Sequence, residues 1–290
     1  MSDMVQTNSQ EMITLSHISK KYQTESALRD ISFRVGEGEI LGFLGPSGAG
    51  KTTTIKILTG QLRQTSGDAY ILGRNTKEID SSIYEQIGIV TDNSGIYENM
   101  TVYDNLKYFA RILNVDQGRI EELLKRAGLW EHRKKQAGKL SKGQTQRLVL
   151  MRSVLHQPKI LFLDEPTSGL DPSTAQEIHG LLKEQRDRGM AIFLTTHNME
   201  EAAKLCDRVA LLNDGNIVEI GTPREICLKY NTKKHYRILL KNQEEFVLEH
   251  SGENIKKIAA YMSGGELEII HSCEPTLEDV FLSVTGRELR

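Results

Sequence analysis

The chain has 290 residues, of which 38% are hydrophobic and 26% are charged, and its formal net charge is −2. A chain of this length can bury the core of one large domain and a second small one. The nearly balanced charge gives no general attraction to nucleic acid, so we expect no nucleic-acid partner. The three cysteines lie far apart, which argues against a disulfide framework, and no apolar run approaches the roughly 20 residues of a transmembrane helix. The composition therefore predicts a soluble protein of the cytoplasm.

The N-terminal part predicts a disordered segment followed by antiparallel strands. Residues 1–12 are polar and lack the apolar core of a signal peptide. Short apolar stretches then alternate with polar ones at residues 13–15, at Leu28 and at residues 31–35, and a Gly36-Glu37-Gly38 turn comes after them. This alternation is typical of strands with one buried face.

A glycine-rich loop comes next and matches the phosphate-loop pattern G-x-x-x-x-G-K-[ST] at every fixed position. Its residues are Gly45, Pro46, Ser47, Gly48, Ala49, Gly50, Lys51 and Thr52. The apolar run before it predicts a buried strand, and the segment after it predicts a helix whose N-terminus adds free N–H groups. Backbone N–H groups of such a loop converge on a phosphate, Lys51 adds a positive charge, and the Thr52 hydroxyl can ligate Mg²⁺. The loop therefore predicts binding of a nucleoside triphosphate.

Residues 98–157 predict a helical insertion. Thr101 can cap a helix with apolar residues at i, i+3, i+4 and i+7, the next helix repeats that spacing, and a third begins at Ser141. Ordinary α/β alternation is the alternative, but no strand-like run interrupts this span.

Continuous apolar runs at residues 160–163 and 191–194 predict central parallel strands covered on both faces. Asp171-Pro172 predicts the start of the helix between them. Asp214-Gly215 between two apolar runs predicts a hairpin, and Pro223 marks a boundary. Beyond it, strands at 236–240 and 267–270 and a helix at 255–262 predict a small α/β unit over residues 224–290.

Three polar residues end the two central strands. Asp164 can hold Mg²⁺ through water, and the adjacent Glu165 can accept a proton from an attacking water. His197 ends the other strand, where it would face the same phosphate edge, although a structural histidine is the alternative. Other histidines, such as His132 and His179, are predicted to be solvated helix positions.

Ser141 has two interpretations. It is explained as an N-cap, but together with Gly143 it also forms a second anion site at a helix N-terminus. Because one phosphate loop already serves the chain's own nucleotide, a second such site makes sense if it serves the nucleotide of another copy.

These motifs, in their order and spacing, resemble those of ATP-binding cassette ATPases over about residues 13–223. The resemblance implies an α/β fold with a RecA-like P-loop core, an antiparallel β-subdomain and a helical subdomain. It also implies Mg²⁺ and two ATP molecules in a head-to-tail dimer of this chain with a second copy or a related ATPase. Each ATP would lie between residues 45–53 of one subunit, Thr53 included, and Ser141, Gly143 and Gln144 of the other. Tyr22 matches the aromatic residue that stacks on adenine, with strand packing as the alternative, and Asp171 matches the loop that crosses the dimer interface.

Two positions depart from the family pattern. Asp92 stands where a glutamine normally contacts Mg²⁺ and senses the membrane partner; it could ligate Mg²⁺, but near the γ-phosphate its charge is repulsive unless the metal lies between. Lys142 stands where glycine is usual, and could add attraction to the partner's nucleotide.

The resemblance implies an ATPase that drives a separate membrane permease from the inner face of the cell membrane. Residues 274–282 resemble the tail of drug- and antibiotic-export ATPases, although a capped amphipathic helix would explain them too. An importer ATPase and a non-transport ATPase rank lower, and Glu165 and His197 argue against a binding module that does not hydrolyse ATP.

Overall fold

The computed structural model describes residues 10–91 and 95–286. Its strands are β1 (Glu11–Tyr22), β2 (Glu25–Gly36), β3 (Ile40–Leu44), β4 (Ser66–Ile71), β5 (Arg74–Asn75), β6 (Ile87–Val90), β7 (Ile160–Asp164), β8 (Ala191–Thr196), β9 (Arg208–Asn213), β10 (Asn216–Gly221), β11 (His235–Leu240), β12 (Glu245–Glu249) and β13 (Leu267–Cys273).

Its α-helices are α1 (Lys51–Leu58), α2 (Ser81–Tyr84), α3 (Val102–Ile112), α4 (Gly118–Arg126), α5 (Lys142–Ser153), α6 (Pro172–Asp187), α7 (Met199–Leu205), α8 (Pro223–Tyr230), α9 (Gly252–Ser263) and α10 (Leu277–Thr285). Short 3₁₀ turns lie at Thr76–Glu78, Trp130–His132 and Ala137–Lys139. The chain divides into two compact units between Ile220 and Gly221.

The first unit is built on a six-stranded sheet in the order β10-β9-β3-β8-β7-β6. The pairs β3–β8, β3–β9, β7–β8 and β6–β7 are parallel. Every residue of β3, β7 and β8 is buried, which confirms the central strands predicted from their apolar runs. Because β3, β8 and β7 are neighbours, the segments after them emerge side by side at one edge of the sheet.

A four-stranded antiparallel sheet, in the order β2-β1-β4-β5, covers part of this core. Phe33 of β2 stacks on Phe193 of β8 with ring centroids 5.5 Å apart, and it lies at the same distance from Phe43 of β3. The predicted antiparallel pair β1–β2 is confirmed. The prediction that residues 1–12 are all disordered is wrong at its end, because β1 begins at Glu11 and Met12 is a buried core residue.

The helical insertion is confirmed: between residues 98 and 157 the structure contains helices and turns, and its one β interaction is an isolated bridge from Thr101 to Gln136. Thr101 caps α3 by accepting a hydrogen bond from Asp104 N at 3.0 Å. The apolar residues predicted to line its second helix, Ile120, Leu123 and Leu124, are all buried.

The second unit begins at Gly221, three residues before the predicted boundary, because Thr222 caps α8. It holds an antiparallel sheet in the order β12-β11-β13, with Ile238, Leu240 and Ile258 as its buried centre. The predicted strands and helix are present, but β12 was not predicted. Thr276 caps α10 as expected from the sequence.

None of the described helices is long and apolar enough to cross a membrane.

Candidate active site

The loop after β3 joins that strand to α1 and forms one wall of a cavity of about 290 Å³. Gly45 is required at its start, because a Cβ there would collide with the carbonyl oxygen of Leu212. Gly48 has a φ of 80°, and a Cβ on it would project into open space. The cavity is lined by Ala27, Pro46, Ser47, Gly48, Gly50, Lys51, Thr52, Thr53, Asp164 and Glu165. The structure therefore brings the phosphate loop and both strand-end carboxylates to one cavity.

Lys51 lies at the floor of this cavity with only 8% of the residue exposed. Its Nζ donates to the carbonyl oxygens of Gly45 at 2.6 Å and Pro46 at 3.3 Å, and it lies 3.4 Å from Glu165 Oε1. A buried ammonium at the N-terminus of α1 favours an anion beside it, because the charge and the free N–H groups of the helix act together.

Thr52 and Asp164 meet across the sheet edge. The Thr52 hydroxyl donates to Asp164 Oδ2 at 2.9 Å, and the other carboxylate oxygen of Asp164 accepts a hydrogen bond from the Thr195 hydroxyl. Asp164 is 6% exposed and Thr195 is fully buried. A hydroxyl and a carboxylate are the hard oxygen donors that Mg²⁺ prefers. The residues present therefore fit the metal that the phosphate loop implies.

Glu165 is held from two sides at the rim of the cavity. Its Oε1 lies near Lys51, and its Oε2 lies 2.9 Å from His197 Nδ1. Its backbone N–H donates to the carbonyl oxygen of Thr195 at 3.0 Å. The backbone of Glu165 has a φ of 49°, in the left-handed region that is unfavourable for a residue with a Cβ. Three residues were predicted to act in catalysis, namely Lys51, Glu165 and His197, and Glu165 is in contact with both of the others.

The residues predicted to contact adenine or the partner subunit lie elsewhere on the first unit and do not line this cavity. Tyr22 is 46% exposed, and Lys20 Nζ lies 5.0 Å from its ring centroid. Asp171 caps α6 by accepting from Thr174 N at 3.0 Å, and hydrogen bonds from the backbone and hydroxyl of Thr174 lower the pKa of Asp171.

Ser141 and Gln144 form a capping box at the start of α5. Ser141 Oγ accepts from Gln144 N at 3.2 Å, and Gln144 Oε1 accepts from Ser141 N at 3.1 Å. The neighbouring Gly143 is buried against Thr174. Lys142 Nζ lies against Gly169 of the same chain. Asp92, a predicted metal ligand, lies outside the described residues.

One interpretation of the sequence is wrong. His179 is not a solvated helix position: its side chain is 16% exposed, and its Nε2 is hydrogen-bonded to Glu201 Oε1. Glu201 was not singled out from the sequence, where the only signal was an acidic residue four positions after His197.

A larger cavity of about 530 Å³ opens at the amino ends of the parallel strands, next to Gln86, Lys159 and Met190. Its arginines form ion pairs at the surface, including Arg74 with Asp80 at 2.7 Å and Arg119 with Glu122 at 3.0 Å. It holds none of the phosphate-loop residues, which line the smaller cavity at the carboxyl ends of the strands.

A family model described as ABC transporter matches residues 28–168. A fluoroquinolones export ATP-binding protein of Mycobacterium tuberculosis is 38% identical over 287 residues, which cover 96% of this chain and 95% of that protein. The chain belongs to the ATP-binding cassette family. The bacitracin transport ATP-binding protein BcrA of Bacillus licheniformis is 33% identical to this chain, over 95% of this chain and 97% of that protein. A model for an AAA domain, described as a putative AbiEii toxin, also matches residues 136–203.

The fold of the chain agrees with this family. A dimeric ATP-binding cassette in a post-hydrolysis state, bound to ADP and Pi, superposes with a TM-score of 0.65 at 27% identity, over 73% of this chain and 98% of that one. The parallel sheet with its phosphate loop is thus the RecA-like core that the sequence predicted, with its antiparallel and helical subdomains. As a member of this family the cassette is an ATPase.

Proposed function

We propose that the cassette is the ATP-hydrolysing subunit of an exporter and drives a separate membrane permease from the inner face of the cell membrane. The observation that carries this proposal is the extent of the similarity to an export ATP-binding protein, which covers 96% of the chain and so includes the C-terminal unit. Residues 274–282 do not decide between export and its alternatives, because the observed cap of α10 by Thr276 is what a capped amphipathic helix predicts as well. The transported compound would be recognised by the permease.

The geometry supports one role for each residue of the cavity. Lys51 and the loop N–H groups bind and orient the phosphates of ATP. Thr52 and Asp164 would hold Mg²⁺, which would neutralise phosphate charge. Glu165 accepts the proton of the attacking water, and His197 orients Glu165 through their 2.9 Å contact.

A second subunit would complete each site. Ser141, Gly143, Gln144 and Asp171 do not line the cavity of their own chain, which supports their use on the nucleotide or interface of a partner. Tyr22 is exposed enough to stack on adenine. Lys142 is better explained by its contact with Gly169 than by attraction to the partner's nucleotide. The partner is a second copy of this chain or a related ATPase.

The helical subdomain, together with the Asp92 loop, would receive the permease. A cavity of about 330 Å³ lies along the start of α3, lined by Asp104, Lys107, Tyr108 and Arg111 among others. Tyr97 and Tyr108 are each more than two-fifths exposed and pack edge to face at 5.2 Å. Aromatic side chains and arginine are enriched at protein interfaces.

The catalytic part of the proposal is tested with Glu165→Gln. If Glu165 is the base, this variant binds ATP without hydrolysing it and accumulates as an ATP-bound dimer, which light scattering after size-exclusion chromatography would detect. Wild type should return to monomer as ATP is consumed, and Glu165→Gln combined with Lys51→Ala should stay monomeric because its phosphate site is weakened. A Glu165→Gln protein that remains monomeric with ATP and Mg²⁺ would falsify the proposed dimer mechanism.

The transport part is tested by purifying the tagged, full chain from detergent-solubilised membranes and identifying the proteins that accompany it. Recovery of a polytopic permease, together with ATP-dependent movement of its substrate out of the cell, supports export. Movement into the cell would replace the proposal by the importer alternative.

A further inference from the structure

Helices α5 and α6 lie side by side, although α5 belongs to the helical insertion and α6 follows strand β7 of the central sheet. Near their N-termini Gly143 packs on Thr174, since a Cβ on Gly143 would lie 2.5 Å from Thr174 Cγ2. About one turn further along both helices, Arg147 Nη1 lies 2.8 Å from Glu177 Oε2. The two contacts come in the same order along both helices, so the helices run in the same direction and their N-termini lie together.

These two N-termini carry residues that are proposed to face the second subunit. Ser141 caps α5, and Asp171 caps α6. The Asp171 carboxylate accepts hydrogen bonds from Thr174 N at 3.0 Å and from Thr174 Oγ1 at 2.7 Å, so Asp171 is bonded to the residue on which α5 packs. Lys142 Nζ lies against Gly169, two residues before Asp171. Ser141 and Asp171 therefore belong to one packed unit of the chain.

Arg147 makes the polar contacts that hold this unit together. Its side chain is 18% exposed and is paired with Glu177 on α6. The same Nη1 atom donates to the carbonyl oxygen of Ala127 at 3.1 Å, and Ala127 is the C-cap of α4. One guanidinium group therefore joins α4, α5 and α6.

Stability alone does not explain Arg147. Its Nε is buried and has no hydrogen-bond partner in the part of the chain that the structure describes, and a buried donor left unpaired is unfavourable. The side chain of Glu177 is 53% exposed, and ion pairs with solvent-exposed partners contribute little to stability. What the pair supplies is a fixed arrangement of α5 relative to α6.

A fixed arrangement of the two helix ends favours association. Binding costs less free energy when the contacting groups are already held as they are in the complex. We propose that Arg147 is a positioning residue for the ATP-dependent dimer, which keeps Ser141 and Asp171 aligned for the second subunit by pairing with Glu177. This inference rests on the proposed dimer, in which Ser141 and Asp171 both serve the partner.

The test measures dimerisation of the full chain with ATP and Mg²⁺ by light scattering over a range of protein concentrations, with each variant made in the Glu165→Gln protein. Arg147→Met removes the charge and the donors but keeps an unbranched side chain, and it should raise the dimer Kd about tenfold. The ATP affinity of the monomer, measured at concentrations too low for dimerisation, should not change, because the phosphate loop is untouched. Arg147→Lys, which keeps a positive charge and a donor, should recover much of the loss.

Arg119→Met is the matched control. Arg119 lies on α4, its side chain is 13% exposed, and it is paired with Glu122 at 3.0 Å. Its Nε is also buried without a hydrogen-bond partner among the described residues. Because the Arg119 pair lies within one helix, this variant should leave the dimer Kd unchanged, whatever it does to the stability of the monomer.

Glu177→Gln guards against misfolding of Arg147→Met, because it changes only the charge of the exposed member of the pair. It should raise the dimer Kd in the same direction. Adding it to Arg147→Met should give no further loss, because the two residues act through one ion pair.

The inference is overturned if Arg147→Met and Glu177→Gln dimerise with the Kd of the Glu165→Gln protein, or if Arg119→Met raises the Kd as much as Arg147→Met does. A loss of ATP affinity in the Arg147→Met monomer as large as its loss of dimerisation would also overturn it, since that pattern indicates a damaged nucleotide site. Failure of the proposed function would look different: the Glu165→Gln protein would then stay monomeric with ATP before any change at Arg147.

Discussion

The hydrogen bond from the Thr195 hydroxyl to Asp164 is the most sharply testable contact at the carboxyl edge of the sheet, where Asp164, Glu165 and His197 lie. Thr195 is fully buried, donates to Asp164 Oδ1 and accepts weakly from Glu165 N at 3.3 Å. Thr195→Val keeps the size of the side chain and removes both hydrogen bonds. Asp164 is 6% exposed, so water cannot readily replace the lost donor. Leaving a buried, charged acceptor short of a partner costs about 2 kcal/mol.

This magnitude predicts two measurements. Urea unfolding should show a free energy of unfolding lower by about 2 kcal/mol, with an unchanged m-value. If the whole of this contribution of about 2 kcal/mol is gained only in the transition state for hydrolysis, its loss lowers kcat by up to about thirtyfold. More Mg²⁺ should be needed for half-maximal activity, because Asp164 loses the contact that orients it towards the metal.

Thr196→Val is the matched control. Thr196 is the next residue of β8, is 3% exposed, and its hydroxyl accepts from the backbone N–H of Asn198 at 3.0 Å. Its loss should cost about 1 kcal/mol and leave the Mg²⁺ requirement unchanged. Equal Mg²⁺ requirements for the two variants, or a Thr195→Val protein as stable as wild type, would refute the assignment of the Thr195 hydroxyl to Asp164.

Two further predictions concern His156 and Asp92. Burial lowers the pKa of His156 below its usual 6.5, although its hydrogen bond to Ile87 O acts in the opposite direction. The folded state therefore favours the neutral imidazole. As a result, the free energy of unfolding should fall as the pH drops below about 6.5. Urea titrations at several pH values should give a flatter dependence for His156→Gln than for wild type, and parallel curves would contradict the assignment. Asp92→Gln should keep ATP affinity and change turnover, because it removes a negative charge proposed to lie near the γ-phosphate. Equilibrium binding measures the affinity and a hydrolysis assay measures the turnover. Unchanged turnover would contradict the proposed role of Asp92 in hydrolysis.

The residues at the carboxyl edge of the sheet could be predicted because each of them directly follows an apolar strand along the chain. Buried parallel strands appear as continuous apolar runs, and the residues just after each run lie at the same sheet edge. Asp164, Glu165 and His197 could therefore be placed at one edge from the sequence alone, and the contact of Glu165 with His197 agrees.

Elements of weak pattern were harder to predict. Strand β12, Glu245–Glu249, turns only Phe246 and Leu248 towards the small core, between exposed glutamates. The sequence itself does not alternate, because the exposed Val247 between them is also apolar, and an apolar run of three residues is too short to indicate a strand. Its pairing with β11 comes from tertiary contacts that the local sequence does not show.

His179 was misjudged for a related reason. Its neighbours Ile178 and Leu182 form the buried stripe of α6, and His179 falls beside that stripe, where a solvated position is expected. Its partner Glu201 comes from another helix. Only the packing of α6 against α7 brings the two together, so helical periodicity could not reveal the pair.

Ser141 shows that two competing interpretations of one residue can both hold. A serine hydroxyl offers two acceptor lone pairs and one O–H donor. In the capping box Ser141 Oγ uses acceptor capacity, taking the N–H of Gln144 at 3.2 Å, and its O–H remains able to donate to an anion. The residue is exposed at the N-terminus of α5, where the helix dipole favours negative charge. The N-cap therefore leaves this helix end able to contact the phosphate of a partner's nucleotide in the proposed dimer. Ser141→Ala should weaken both the cap of α5 and this phosphate contact.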